Sequence, residues 1–86
     1  MDIYRIEWTR SAAKELRKLP RQMIPKIVAE VDNLTSNPYP QGVRKLVGTE
    51  NSYRIRVGDY RILYNIIENR LIVEIIRVGH RKDVYK

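Results

Sequence analysis

Between Tyr53 and Tyr64 apolar and polar residues largely alternate, and the alternation turns back on itself at Gly58-Asp59. That dipeptide between two alternating segments reads as a tight β-hairpin. A two-residue loop sets Val57 against Tyr60, Arg56 against Arg61 and Ile55 against Ile62. Opposed residues share a face, so Tyr53, Ile55, Val57, Tyr60, Ile62 and Tyr64 form an apolar face, and Arg54, Arg56 and Arg61 stand together on the other. Like charges directly opposite one another destabilise a sheet by a few tenths of a kcal/mol or more. Stability alone would not select this pairing, so an anionic partner is expected there.

Upstream, Ile3–Trp8 predicts a first strand, and Thr9 predicts the N-cap of a helix to about Lys18, with Ala12, Ala13, Leu16 and Leu19 on one stripe. Pro20 ends it. A second helix carries Met23, Ile24, Ile27, Val28, Val31 and Leu34 at helical spacing, with Pro25 tolerable only in its first turn. Residues 37–42 read as a loop. After it, Val43–Val47 predicts a short strand, Tyr53–Val57 and Tyr60–Ile67 the hairpin strands, Glu68-Asn69 a turn, and Leu71–Val78 the last strand, which Gly79 interrupts. The expected fold is α+β in a single domain spanning 1–86: strand, two helices, then three to four strands. Both helices would pack on one face of a small, mainly antiparallel sheet. The other face, with the arginines, stays open. The last strand is apolar on both sides, which predicts an interior position. Alternation puts Ile72 and Ile76 on the open face, where a tail or a partner would cover them.

Composition narrows the chemistry. The 86 residues contain no cysteine, which excludes a disulfide framework and thiol catalysis. No apolar run approaches the roughly 20 residues of a membrane span, and the first residues lack the order of a signal peptide. A cytoplasmic protein without a membrane partner is expected. The net charge of +7 is uneven. Residues 1–42 carry seven Lys/Arg against five acids, and residues 43–86 carry ten against five. Basic charge concentrated in one part of a fold is the footprint of a polyanion binder.

With one histidine and no cysteine, a metal site would need a carboxylate cluster, and none is visible. There is no glycine-rich phosphate loop, and neither Ser11 nor Ser52 sits in a nucleophile elbow. What remains is arginine acting on phosphate, through a planar fork that binds two oxygens and stays charged. Preorganised donors of this kind supply about 3–4 kcal/mol each to a transition state. RNA brings its own nucleophile, the 2′-OH, so a protein need only position it, stabilise charge and manage protons. The segment from Val78 to Lys86 adds His80, Arg81 and Tyr85. Because Gly79 interrupts the strand, alternation does not tell whether His80 or Arg81 faces the arginines. Trp8, Tyr4, Tyr53, Tyr60 and Tyr64 read as packing residues.

In order and spacing, five segments together resemble the RelE side of the RelE/ParE superfamily of toxin–antitoxin toxins. They are Trp8-Thr-Arg-Ser-Ala-Ala-Lys-Glu-Leu16, Leu19-Pro20, Arg44-Lys-Leu-Val-Gly48, the Tyr53–Tyr64 hairpin and Arg77-Val-Gly-His-Arg-Lys-Asp-Val-Tyr85. The resemblance implies a ribosome-dependent endonuclease that enters the A site and cleaves mRNA. The 2′-OH would attack the adjacent phosphate, with no metal or cofactor. It also implies a cognate antitoxin partner. Carried over by position, the family's site residues fall on Arg54, Arg56, Arg61, Arg81 and Tyr85. Arg56 and Arg61 would bind phosphate and stabilise the transition state, Arg81 would bind phosphate or assist the leaving 5′-oxygen, and Tyr85 would position the nucleotide. The best-known members have lysines at the positions of Arg54 and Arg56. Arginine cannot act as a base, so either another group, with His80 the candidate, takes the proton, or this chain relies more on electrostatics. Arg44, Lys45, Lys82 and Lys86 are candidate RNA-gripping residues. The ParE side of the superfamily, whose members poison gyrase, and a non-cleaving nucleic-acid-binding module are the competing expectations.

Overall fold

The computed structural model describes residues 3–83, so Tyr85 and Lys86 lie outside the described residues. Strand β1 (Arg5–Trp8) leads into helix α1 (Arg10–Arg17), and helix α2 (Ile24–Asn33) follows. The Thr9 hydroxyl caps α1 by accepting the Ala12 N–H at 3.1 Å, satisfying one of the donors a helix start leaves open. Pro25 sits in the first turn of α2, where no intrahelical N–H is missed.

Strands β2 (Arg44–Lys45), β3 (Ser52–Val57), β4 (Tyr60–Ile67) and β5 (Ile72–His80) form an antiparallel meander. β1 adds to it in parallel beside β5, giving the order β1-β5-β4-β3-β2. The last strand is therefore interior, as its two-sided apolar sequence demands. Ile27 and Val31 of α2, Leu34 at its C-cap and Ala12 of α1 bury completely against Ile62, Tyr64, Val73 and Ile75 of the sheet. The buried Tyr64 hydroxyl donates to the Pro38 carbonyl at 2.8 Å, tying the loop before β2 to the sheet.

The hairpin has the predicted register, with Val57 opposite Tyr60 and Arg56 opposite Arg61. Gly58 adopts a φ of +59° while Asp59 does not enter the left-handed region, the pattern of a type II′ turn with glycine at its first central position. A side chain there is strained. Gly58→Ala is expected to cost about 1–3 kcal/mol in urea unfolding, although open space surrounds the position.

Three expectations need correction. Strand β2 covers two residues rather than five, because Leu46 N–H bonds the Ser52 carbonyl and Thr49 N–H turns back onto Leu46, leaving Val47 fully exposed. The second turn is a 3-10 turn over Glu68–Arg70 closed by Leu71 at φ +54°, so β5 starts at Ile72. Gly79 does not interrupt β5, which continues to His80.

The register also shifts once. Leu63 pairs with Arg77 but Tyr64 with Ile75, which leaves Ile76 as an extra residue. This β-bulge reverses the alternation of β5. Val73 and Ile75 face the helices before it and Val78 after it, all three in the core. Ile72 stands opposite Ile67 and is only 2% exposed.

Candidate nucleic-acid interface

The open face is built from β2, β3 and β4. Arg44 stands opposite Arg54, and Arg56 opposite Arg61, so two cross-strand arginine pairs share one side of three adjacent strands. Opposed side chains start about 5 Å apart at Cβ, which sets the guanidinium groups within reach of a single phosphodiester. Arg44, Lys45, Arg54 and Arg56 line a groove of about 560 Å³ with Leu46, Val47 and Leu63. Leu63, directly opposite Arg54, is the apolar floor at 6% exposure, shielded by the hydrocarbon stems of its neighbours. Arg44 and Arg56 are exposed, and among the described residues neither ion pair, Arg5–Glu7 or Arg77–Glu15, involves them.

Arg61 differs from its hairpin partner in depth. It is only 7% exposed, and its Nη1 donates to the Tyr60 carbonyl at 3.3 Å. β4 is the middle strand, so its side chains are flanked on both sides, whereas those of β3 lie beside the short β2. A guanidinium held that deep loses little conformational freedom when it binds an oxyanion, and nearby low-dielectric protein strengthens the attraction. Lys45 stands opposite Tyr53 and meets the groove at its rim.

The continuous β5 settles what alternation left open. Gly79 is opposite Arg61, and His80 is opposite Tyr60 on the helix-covered face, its ring edge-on to the Tyr60 ring at 5.6 Å. The structure therefore does not bring His80 to the arginines. Arg81 is exposed, and its N–H donates to the Asp59 carbonyl at 2.9 Å, which carries the ladder one residue past the strand. That bond holds the Arg81 backbone against the hairpin turn that follows Arg56 and precedes Arg61. Lys82 is exposed in the turn that follows. The phase reversal shows in burial, since Val73, Ile75 and Val78 leave a gap of three where two is normal, and the apolar Ile72 and Ile76 hide it in the sequence.

Tyrosines populate the opposite face as packing. Tyr53 stacks on Tyr64 at 6.1 Å, and Tyr39 meets Tyr53 edge-on at 5.4 Å. Tyr4 and Tyr39 both donate to Glu68, and those bonds raise both phenol pKa values. Burial does the same for Tyr64. These three hydroxyls stay protonated and supply no base. One further contact was missed in the sequence. Glu15, the single acid among the charges of α1, accepts the Val78 N–H at 3.1 Å and Arg77 Nη2 at 3.2 Å. Among the described residues no three His, Cys, Asp or Glu side chains gather to hold a metal ion, and no helix is long and apolar enough to cross a membrane.

The fold and this face define a small α+β protein that presents clustered arginines on a rigid sheet. Residues 6–85 match the family described as the ParE toxin of type II toxin-antitoxin systems, parDE. The toxin RelG of Mycobacterium tuberculosis is 34% identical over 87 residues, covering 96% of this chain and 97% of that protein. The mRNA interferase toxin RelE of Escherichia coli is 28% identical, covering 95% and 90%. Among solved structures, the archaeal RelE–RelB complex from Pyrococcus horikoshii superposes with a TM-score of 0.82 at 29% identity, over 95% of this chain and 99% of that one. The RelBE2 toxin–antitoxin complex from M. tuberculosis gives 0.80 at 30%, over 91% and 98%. The chain belongs to the RelE/ParE superfamily of type II toxin–antitoxin toxins and is a RelE-like member of it.

Proposed function

We propose that this toxin is a metal-independent endoribonuclease that cleaves mRNA in the ribosomal A site, in the cytoplasm, and so stops translation. The observation that carries the proposal is the double arginine pair, Arg44–Arg54 and Arg56–Arg61, on one face of the sheet. The name of the E. coli relative, an mRNA interferase, agrees with it. In the proposed reaction the 2′-OH gives its proton to water and its oxygen bonds to phosphorus as the bond from phosphorus to the 5′-oxygen breaks, and the 5′-oxygen takes a proton from water. The products are a 2′,3′-cyclic phosphate and a 5′-OH. Arg56 and the buried Arg61 hold the phosphate oxygens as their charge grows, and Arg54 adds to the field. Arg81 hydrogen-bonds the departing 5′-oxygen, and Tyr85, outside the described residues, positions the nucleotide. Arg44, Lys45, Lys82 and Lys86 grip flanking RNA. A cognate antitoxin protein binds the toxin and holds it in check; the similar solved structures, which are toxin–antitoxin complexes, support such a partner.

The test is primer extension on mRNA from a purified translation reaction, with programmed ribosomes present or absent. Discrete cuts in the A-site codon that need both ribosomes and toxin are the expected result. The ParE description of the matching family favours a second reading, a gyrase poison. Intact mRNA together with stalled gyrase–DNA complexes would replace the first reading with the second.

A further inference from the structure

The end of β5 lacks the strand that supports its beginning. β1 pairs with β5 only from Arg5–Ile72 to Trp8–Ile75, and the chain then turns into α1. From there Glu15 of α1 takes over the edge, accepting the Val78 N–H and pairing with Arg77. Two residues on, the backbone enters a turn whose hydrogen bonds converge on one side chain. Lys82 N–H donates to His80 Nδ1 at 3.2 Å, and Asp83 N–H donates to the His80 carbonyl at 2.8 Å. The Arg81 N–H is held by Asp59 of the hairpin turn.

The bond from Lys82 N–H to His80 Nδ1 links a side chain to the backbone two residues ahead. That is the geometry of an Asx-turn, in which an asparagine or aspartate oxygen accepts the same N–H. With Nδ1 accepting, the neutral ring carries its proton on Nε2. The ring packs on Tyr60, beside a cavity of about 330 Å³ that Glu15 of α1 and Lys18 and Leu19 just after it also line. It therefore lies across the sheet from Arg56 and Arg61, where it reaches no phosphate bound to them.

We propose that His80 is a positioning residue for Arg81: it folds the 81–83 turn as a side-chain mimic of an Asx-turn and takes no proton from the RNA. The proposal rests on the catalytic reading of the arginine face given above. Arg81 is exposed, and three hydrogen bonds, two of them to His80, define the backbone around it. A loose turn would leave the guanidinium to sample positions from which it misses the leaving oxygen. Displacements of about 1 Å cost up to roughly 100-fold in rate.

The test compares single-turnover cleavage of mRNA on saturating programmed ribosomes by the wild-type toxin, H80A, H80N, R81A and the H80A/R81A double variant. H80A is expected to cut about 10- to 100-fold more slowly with little change in the half-saturating toxin concentration. H80N, whose Oδ1 accepts the Lys82 N–H, is expected to recover most of the rate. In the R81A background H80A is expected to add nothing further, because the two residues act as one unit. Amide exchange at Lys82 provides a readout independent of cleavage: slow in wild type and H80N, fast in H80A.

Failures separate. Wild-type toxin that cuts no mRNA overturns the catalytic reading and the proposal with it. R81A that cuts like wild type removes Arg81 from the site and overturns the proposal, while the arginine pairs keep their reading. A slow R81A beside an H80A of wild-type rate overturns the positioning role alone. So does an H80N as slow as H80A although its Lys82 amide is protected, which would make the imidazole itself the reacting group.

Discussion

Arg61→Ala is expected to slow mRNA cleavage by about 10²- to 10³-fold, the usual cost of deleting one preorganised oxyanion donor. Binding to ribosomes should change little, because exposed cations such as Arg44, Lys45 and Lys82 supply the long-range attraction while Arg61 is buried at 7% exposure. Arg61→Lys should fail to rescue, since an ammonium offers a point charge where the site holds a planar fork. Single-turnover rates on programmed ribosomes measure both variants. A rate within about threefold of wild type for Arg61→Ala, well short of that loss, would remove Arg61 from the site. The exposed partner provides a contrast. Arg56→Ala relieves like-charge opposition across the hairpin, so it should raise the unfolding free energy by a few tenths of a kcal/mol while lowering cleavage. A residue that costs stability and supports activity has been kept for the activity.

The difference between these two arginines marks where sequence reading stops. Alternation and the Gly58-Asp59 turn are local, and they placed Arg54, Arg56 and Arg61 on one face with the observed register. Depth is not local. Arg61 is buried because β4 lies between β5 and β3, and that order depends on pairings between distant segments. The same limit applies to β1. Its sequence announces a strand, but nothing in it specifies parallel docking beside β5 or the loss of that support after Ile75. Glu15 then becomes the partner of the Val78 N–H, sixty-three residues away.

The bulge at Ile76 is an intermediate case. A strand apolar on both faces gives alternation little to distinguish, so a phase reversal hides easily within it. Yet the reversal decides which side carries Gly79 and which carries His80. A glycine opposite Arg61 adds no side chain beside the buried guanidinium. The imidazole goes instead to the helix side, against Tyr60. Parity was silent on Arg81, which only the family resemblance singled out; the structure adds that its N–H bonds the Asp59 carbonyl of the hairpin turn.

Ile62 carries the second large effect, and it is opposite in kind. It neighbours Arg61 in sequence but points through the sheet into the core, fully buried between Ile55 and Val78 and covered by the helices. Ile62→Ala should cost about 2–5 kcal/mol, the transfer free energy of the lost methyl groups plus the cavity they leave. A domain of this size has on the order of 5–10 kcal/mol in total, so the urea midpoint should fall steeply with an unchanged slope. Near 3 kcal/mol the melting temperature drops by roughly 15 °C. Below that temperature the folded fraction should cut mRNA at the wild-type rate, because the arginine pairs stand on the other face. Adjacent residues would then separate cleanly, Arg61→Ala losing chemistry with the fold kept and Ile62→Ala losing stability with the chemistry kept. An Ile62→Ala protein as stable as wild type would mean that the helices do not cover this face, and the arginines would lose their claim to the open one.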